Sequence, residues 1–320
     1  MKKFFTLVLL GLVFFLYSTS MAFSWGSATH AYIADHIGKF LPLMNANEMY
    51  GIMAPDIFNY VFTLDPGQMA AIQRYTHGSP GAEDFMEVWR KASWWGYQKS
   101  LAYGYVAHND VWGIDSTAHH SGVKVGQGVG YVILKAQKLL EQNIVIPGLT
   151  AEAGEPLDQV FSRVGLVVPA DQLELAHNLF ETAGDIYIAQ QDKLIGEKII
   201  CAALARSNDF PALLTKAMDI VGKDMIYAAE KEFRKSMVLY GGALIQDQET
   251  AIKNMSDQMA QLGILYLEAK GVTGITLDLA KILAEKAIRA ALPLCGDYMT
   301  EVNATVGFVK SNLVAHYVWY

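Results

Sequence analysis

Apolar residues recur at intervals of three and four along almost the whole chain beyond residue 24, as in Tyr32, Ile33, Ile37 and Phe40, or Ile133, Ala136 and Leu140, while strict alternation is rare. That period lines one stripe of a helix and does not line one face of a strand, so a predominantly α-helical chain is expected. With 320 residues, 52% of them hydrophobic, a full-sized core needs no help from disulfides, and disorder is excluded as the dominant state. Gly and Pro mark the expected loops at Ala54-Pro55, Asp65-Pro66-Gly67, Gly78 to Gly81, Pro147-Gly148, Gly154 to Pro156 and Val168-Pro169. No unit repeats with a period of roughly 20 to 50 residues, which excludes a solenoid.

The first 24 residues have the form of a signal peptide, with Lys2 and Lys3 ahead of an apolar run over residues 4–17 that is too short for a membrane span. Small residues offer cleavage after Ala22 or after Ser24, and export to the periplasm or medium follows from either. Loss of the leader leaves 23 basic against 32 acidic residues, a net charge of -9. That balance argues against a broad basic face for nucleic acid, and no stable nucleic-acid complex is expected. Cys201 and Cys295 lack the close spacing of a thiolate zinc site; a bridge between them and two free thiols are equally open. From about Pro211 onward long helical stretches, such as 247–270 and 277–292, hold a single histidine, His316, and no long linker separates them from what precedes.

Five of the eight histidines lie beside other ligand-type residues. His108, Asp115 and His119 fall at i, i+7 and i+11, so in a helix unbroken through Gly113 they point within roughly 20° of one direction. His177 and Glu181 are spaced i, i+4 on an otherwise apolar helix. Imidazoles and carboxylates on one helical face are how a bundle offers ligands to zinc, although an isolated pair like the second is more often a hydrogen-bonded core histidine. Asp56, in Ala54-Pro55-Asp56-Ile57, and His77, in Tyr75-Thr76-His77-Gly78, are loop-borne candidates.

The segment Trp25-Gly26-Ser27-Ala28-Thr29-His30 resembles the mature N-terminus of the zinc-dependent phospholipase C family and of the related trinuclear-zinc single-strand-specific nucleases. The resemblance spans roughly residues 25 to 182 and implies an all-α, multi-helix bundle of that type with extra C-terminal helices. Residues 25–195 would form the catalytic domain and residues 196–320 a helical extension packed on it. It implies cleavage after Ser24, so that the free amino group and carbonyl of Trp25 chelate a zinc together with His30. Asp56, His77 and His108 match the ligands of a second zinc, Asp115 the carboxylate bridging these two, and His119, His177 and Glu181 the ligands of a third. Three Zn²⁺ ions are therefore the expected cofactors. The family has its carboxylate four residues after the helical His, where this chain has Trp112, so the extra residues around Gly113 form either a bulge or a break. Asp110, pointing to the opposite face, His36, His120 and His316 are not assigned as ligands, though His120 replaces His119 if the register slips.

By the same resemblance the chain would be an exported zinc-dependent phosphodiester hydrolase, with a metal-activated water as nucleophile and Asp56 assisting as a base while ligating. A phospholipid is the expected substrate, met at the membrane surface. Tyr60, Phe62, Trp94, Trp95 and Trp112 are candidates for contact with acyl chains or a choline head group if they are not core. A nuclease-like hydrolase and a periplasmic zinc-binding protein without turnover are the alternatives.

Overall fold

The computed structural model describes residues 26–38, 41–60, 66–79, 81–94 and 97–320. The signal peptide and Trp25 lie outside the described residues, as do Phe62, Trp95 and the side chain of Tyr60. The architecture is all-α, as the periodicity requires; the only strands among the described residues are β1 (Asn143–Ile144) and β2 (Glu155–Pro156), paired antiparallel. No helix among the described residues is long and apolar enough to cross a membrane.

The site is framed by α1 (Ser27–Ile37), α2 (Pro42–Met53), a 3₁₀ segment (Ala54–Tyr60), α3 (Pro66–Thr76), α4 (Met86–Lys91), α5 (Gln98–His108) and α6 (Ile114–His119), followed by α7 (Tyr131–Leu140), α8 (Leu157–Arg163) and α9 (Pro169–Gln191). Pro42 and Pro169 occupy first-turn positions, where a missing N–H costs nothing. Three of the prolines read as loop markers thus belong to helical elements: Pro66 and Pro169 start helices, and Ala54-Pro55 opens the 3₁₀ segment that carries Asp56.

α2 and α5 pack more closely than side chains would permit. A Cβ on Gly51 would stand 2.1 Å from the Leu101 carbonyl oxygen, and one on Gly104 would stand 2.0 Å from that of Glu48. Two glycines therefore let the backbones meet, and this brings the Ile52 carbonyl within 2.8 Å of His108 Nδ1.

The remaining helices are α10 (Ile195–Ala205), α11 (Phe210–Ala217), α12 (Lys223–Leu244), α13 (Gln248–Ala269), α14 (Leu277–Ala291) and, after a 3₁₀ segment (Leu292–Asp297), α15 (Tyr298–Ala315). The start of α13 is capped by Asp247, which accepts from Thr250 N–H at 3.1 Å, and that of α14 by Thr276, which accepts from Leu279 N–H at 3.2 Å. α9 packs on α7, α14, α13 and α1, while α15 reaches α1 and α6, so helices from beyond residue 196 enclose the ligand-bearing ones. Tyr50 of α2 joins the two parts, donating at 2.7 Å to a buried Glu230 oxygen that also accepts from Arg206 Nε at 2.6 Å. Cys201 is exposed and Cys295 buried, and both are free thiols.

Candidate metal centre

The helix expected to run from His108 through Gly113 is broken. α5 ends at His108 and α6 begins at Ile114, and the bend between them is tied by Asn109, whose Oδ1 accepts from the N–H groups of Val111 and Trp112 at 2.8 Å and of Gly113 at 3.1 Å. One side chain thus satisfies three backbone donors that no helix serves, the local competition for backbone that Asn offers. The single-face alignment of His108, Asp115 and His119 fails with the helix, but the bend itself returns Asp115 to His108.

Four imidazoles are oriented by their Nδ1 atoms. His108 Nδ1–H donates to the Ile52 carbonyl, and His30 Nδ1–H donates to the Gly26 carbonyl at 3.2 Å. The Thr76 hydroxyl donates to the Ile72 carbonyl at 3.1 Å, so it accepts from His77 Nδ1–H at 2.8 Å. Asp110 Oδ1 accepts from His119 Nδ1–H at 2.8 Å. In each ring the other nitrogen, Nε2, is thereby left to act as a ligand.

Those Nε2 atoms converge. Asp115, fully buried, presents Oδ1 to His30 Nε2 at 3.1 Å and Oδ2 to His108 Nε2 at 2.8 Å, with His77 Nε2 3.7 Å from Oδ2. His77 and His108 meet Nε2 to Nε2 at 3.1 Å, and Asp56 Oδ1 lies 3.5 Å from His77 and 3.9 Å from His108. Beside this set, His177 Nε2 lies 2.9 Å from Glu181 Oε1, with the His119 ring 5.1 Å from that of His177. The groups His30, Asp56, His108, then His77, His108, Asp115, and then His119, His177, Glu181 each gather three ligand atoms within 4.8 Å of one another. His108 belongs to two groups but, with Nδ1 engaged, has one nitrogen to give.

These clusters could hold cations. Asp115 Oδ2, His119 Nε2, His177 Nε2 and Glu181 Oε1 are buried without a hydrogen bond; the short contacts of Asp115 to His108 and of His177 to Glu181 have the distance of one but not its angles. Two facing imidazole nitrogens share at most one proton, and orphaned buried ligand atoms are costly unless an ion fills the space between them. Burial holds the Glu181 carboxyl well above the usual range, with Asp185 and Asp115 adding to it, while burial and His119 hold His177 well below. For His77 burial lowers basicity, but the Asp56, Asp115 and Asp110 carboxylates outweigh it and push the imidazole up to about 9. Burial raises Asp115, and His108 and His30 more than offset it, keeping that carboxylate well below its ordinary value. Nitrogen and carboxylate donors in sets of three could hold a metal ion.

Eight of the nine expected ligands are therefore brought together, and the ninth, Trp25, lies outside the described residues. His120 is exposed with Nε2 3.7 Å from Asp110, and His36 is exposed and stacked on Tyr32. His316 stacks on Trp112 at 4.4 Å. Asp110 was read as facing away, and instead it fixes the tautomer of His119; a spacing of nine residues across a bend carries no periodic signal. The chain also holds Asp185, one turn beyond Glu181 and in phase with it on the same helix, but the spacing gives no sign of the partners it serves. Of the candidate aromatics, Trp112 and Trp94 have described side chains. Trp112 is buried against Phe85 and His316, and Trp94, 64% exposed, packs with Trp89 and Lys99 at the far end of α5, about 13 Å along the helix from His108. Compared with family models, with curated proteins and with solved structures, the chain finds no match.

Proposed function

We propose that the chain is a zinc-dependent phosphodiester hydrolase that holds three ions, acts on an amphiphilic phosphodiester of the phospholipid kind, and works outside the cytoplasm once its leader is removed before Trp25. The observation that carries this reading is the division of Asp115, with one oxygen on His30 and the other on His108, beside the separate set His119, His177 and Glu181. One carboxylate between two ligand sets is the arrangement of a multi-ion site, and the resemblance of the N-terminal segment to zinc-dependent phospholipases C supports the same reading.

Zinc bound by these residues supplies Lewis acidity, which polarises a phosphoryl group and makes water nucleophilic near neutral pH. The protein's own part is orientation and proton handling. The Ile52 and Gly26 carbonyls, the Thr76 hydroxyl and Asp110 lock the imidazoles so that Nε2 faces inward. Asp56, the least buried of the inner carboxylates, accepts the proton of the attacking water at Oδ1. Two cavities adjoin the centre. One, against Glu181, is walled by Met237, Met255, Met259 and Leu262 with Asn178 and Gln258, and the other, against Asp110, by Val111, Val123 and Phe308 with Ser79, Ser116 and Ser121. Apolar walls with polar groups among them favour an amphiphilic substrate over a nucleic-acid strand, as does the acidic charge.

Purified mature protein assayed on a chromogenic phosphodiester and on phospholipid vesicles, with and without chelator, tests the reading. Chelator-sensitive hydrolysis is expected, along with about three zinc equivalents. Bound zinc with no turnover on lipid, nucleic acid or a generic diester favours a zinc-binding protein without catalysis, and protein that holds no zinc removes the metal centre altogether.

A further inference from the structure

We propose that Asp185 is a positioning residue that sets the first turn of α1 and, through the Gly26 peptide, aims the His30 imidazole at the ion shared with Asp115. The proposal rests on the metal-centre reading given above.

Asp185 lies one turn beyond Glu181 on α9 and is fully buried, and both of its oxygens are used up by another part of the chain. Oδ2 accepts from Ala28 N–H at 2.7 Å and from the Tyr240 hydroxyl at 2.5 Å; Oδ1 accepts from Thr29 N–H at 2.9 Å and from the Thr29 hydroxyl at 2.8 Å. With its only proton on Asp185, the Thr29 hydroxyl receives that of Tyr298 at 2.8 Å. The first-turn N–H groups of a helix have no intrahelical acceptor, and the residue at the cap of α1 is Gly26, which has no side chain with which to serve them. Asp185 does so from a different helix. It also restricts residue 26 to glycine, since a Cβ there would fall 2.5 Å from the carboxylate.

The consequence reaches His30 through one carbonyl. The Gly26 oxygen accepts the His30 backbone N–H at 3.1 Å and its ring Nδ1–H at 3.2 Å, so the carbonyl that orients the imidazole and leaves Nε2 facing Asp115 belongs to the peptide directly before the two whose N–H groups Asp185 holds. Tyr240 of α12 and Tyr298 of α15 brace the same carboxylate and hydroxyl, which gives the C-terminal helices a part in placing a ligand none of them carries.

Zinc content and competition titration of Asp185→Asn, alone and combined with His30→Ala or His119→Ala, test the assignment. Expected is a loss of one equivalent, or a roughly 10- to 100-fold weaker affinity for one, as for other residues that orient a ligand. The loss should recur in the His119→Ala background and vanish in the His30→Ala background, because there the residue it acts through is already gone. Unchanged zinc binding, an even loss over all equivalents, or a further loss in the His30→Ala background would overturn the proposal. Wild-type protein without zinc would instead overturn the metal centre on which it stands. Should Asp185→Asn not fold by circular dichroism, Tyr240→Phe keeps the carboxylate and removes one donor; a smaller weakening confined to the His30 site is expected, and none would count against the assignment.

Discussion

His119 and Asp110 are joined Nδ1 to Oδ1 at 2.8 Å across the Asn109 bend, so the imidazole nearest the His177–Glu181 pair is held by a carboxylate nine residues earlier in the chain. Burial raises the Asp110 carboxyl, yet the bond to His119 outweighs it and keeps the group ionised; the same bond makes His119 more basic than burial alone would leave it. Asp110→Asn keeps the shape and removes the charge. It should weaken zinc at the third site by about 10- to 100-fold while sparing the other two, and a chelator-competition titration resolving the separate sites will show whether it does.

Acid should expel zinc from the His77 site in a graded way. In the zinc-free protein the His77 imidazole is raised to about 9, so its protonated form stabilises the fold fully below the unfolded value of about 6.5, and that contribution is lost as pH rises through 9. Zinc needs the bare nitrogen and displaces the proton. Affinity at this site should therefore climb roughly tenfold per pH unit between about pH 6.5 and 8 and level off above 9. A flat profile in zinc-buffered titrations would remove His77 from the ligand set.

Arg206→Met should be among the more damaging changes outside the ligand set. It strands Glu230, which is buried and then has Tyr50 as its remaining donor among these three side chains. Breaking one half of a buried pair costs about 3–5 kcal/mol, and a denaturation midpoint shifted by much less would indicate that water reaches the carboxylate.

Gly104→Ala places a methyl group against the Glu48 carbonyl where α2 and α5 touch. The helices must part, at a cost of about 1–3 kcal/mol, and the Ile52 carbonyl retreats from His108. Thermal melts of zinc-free protein should show the first effect, and a weaker zinc affinity the second. Gly242→Ala, with nothing within 4 Å of the new atom, is the control expected to leave both unchanged.

The all-α class was legible because a three-to-four-residue apolar period survives whatever the helices later pack against. The i, i+4 pair His177 and Glu181 was legible for the same reason: both residues lie within one uninterrupted helix, α9. The geometry of His108, Asp115 and His119 was not, since helical phase holds only while the helix does, and Asn109 ends it by satisfying three donors that periodicity takes no account of. Asp110 and Asp185 escaped for a related cause. Each acts on a partner reached by folding rather than by spacing, His119 across a bend and Ala28 with Thr29 across more than 150 residues.

That Asn109 knot has a bearing on how such a chain tolerates change in length. A residue inserted within α5 ahead of His108 would swing its imidazole by about 100° and carry it off the site. A residue added to the bend moves neither helix so long as one amide oxygen can still gather the loose N–H groups. The separation of His108 and Asp115 along the chain is thus set by a side chain rather than by helical pitch, and residues can be gained or lost there while the two ligands stay face to face.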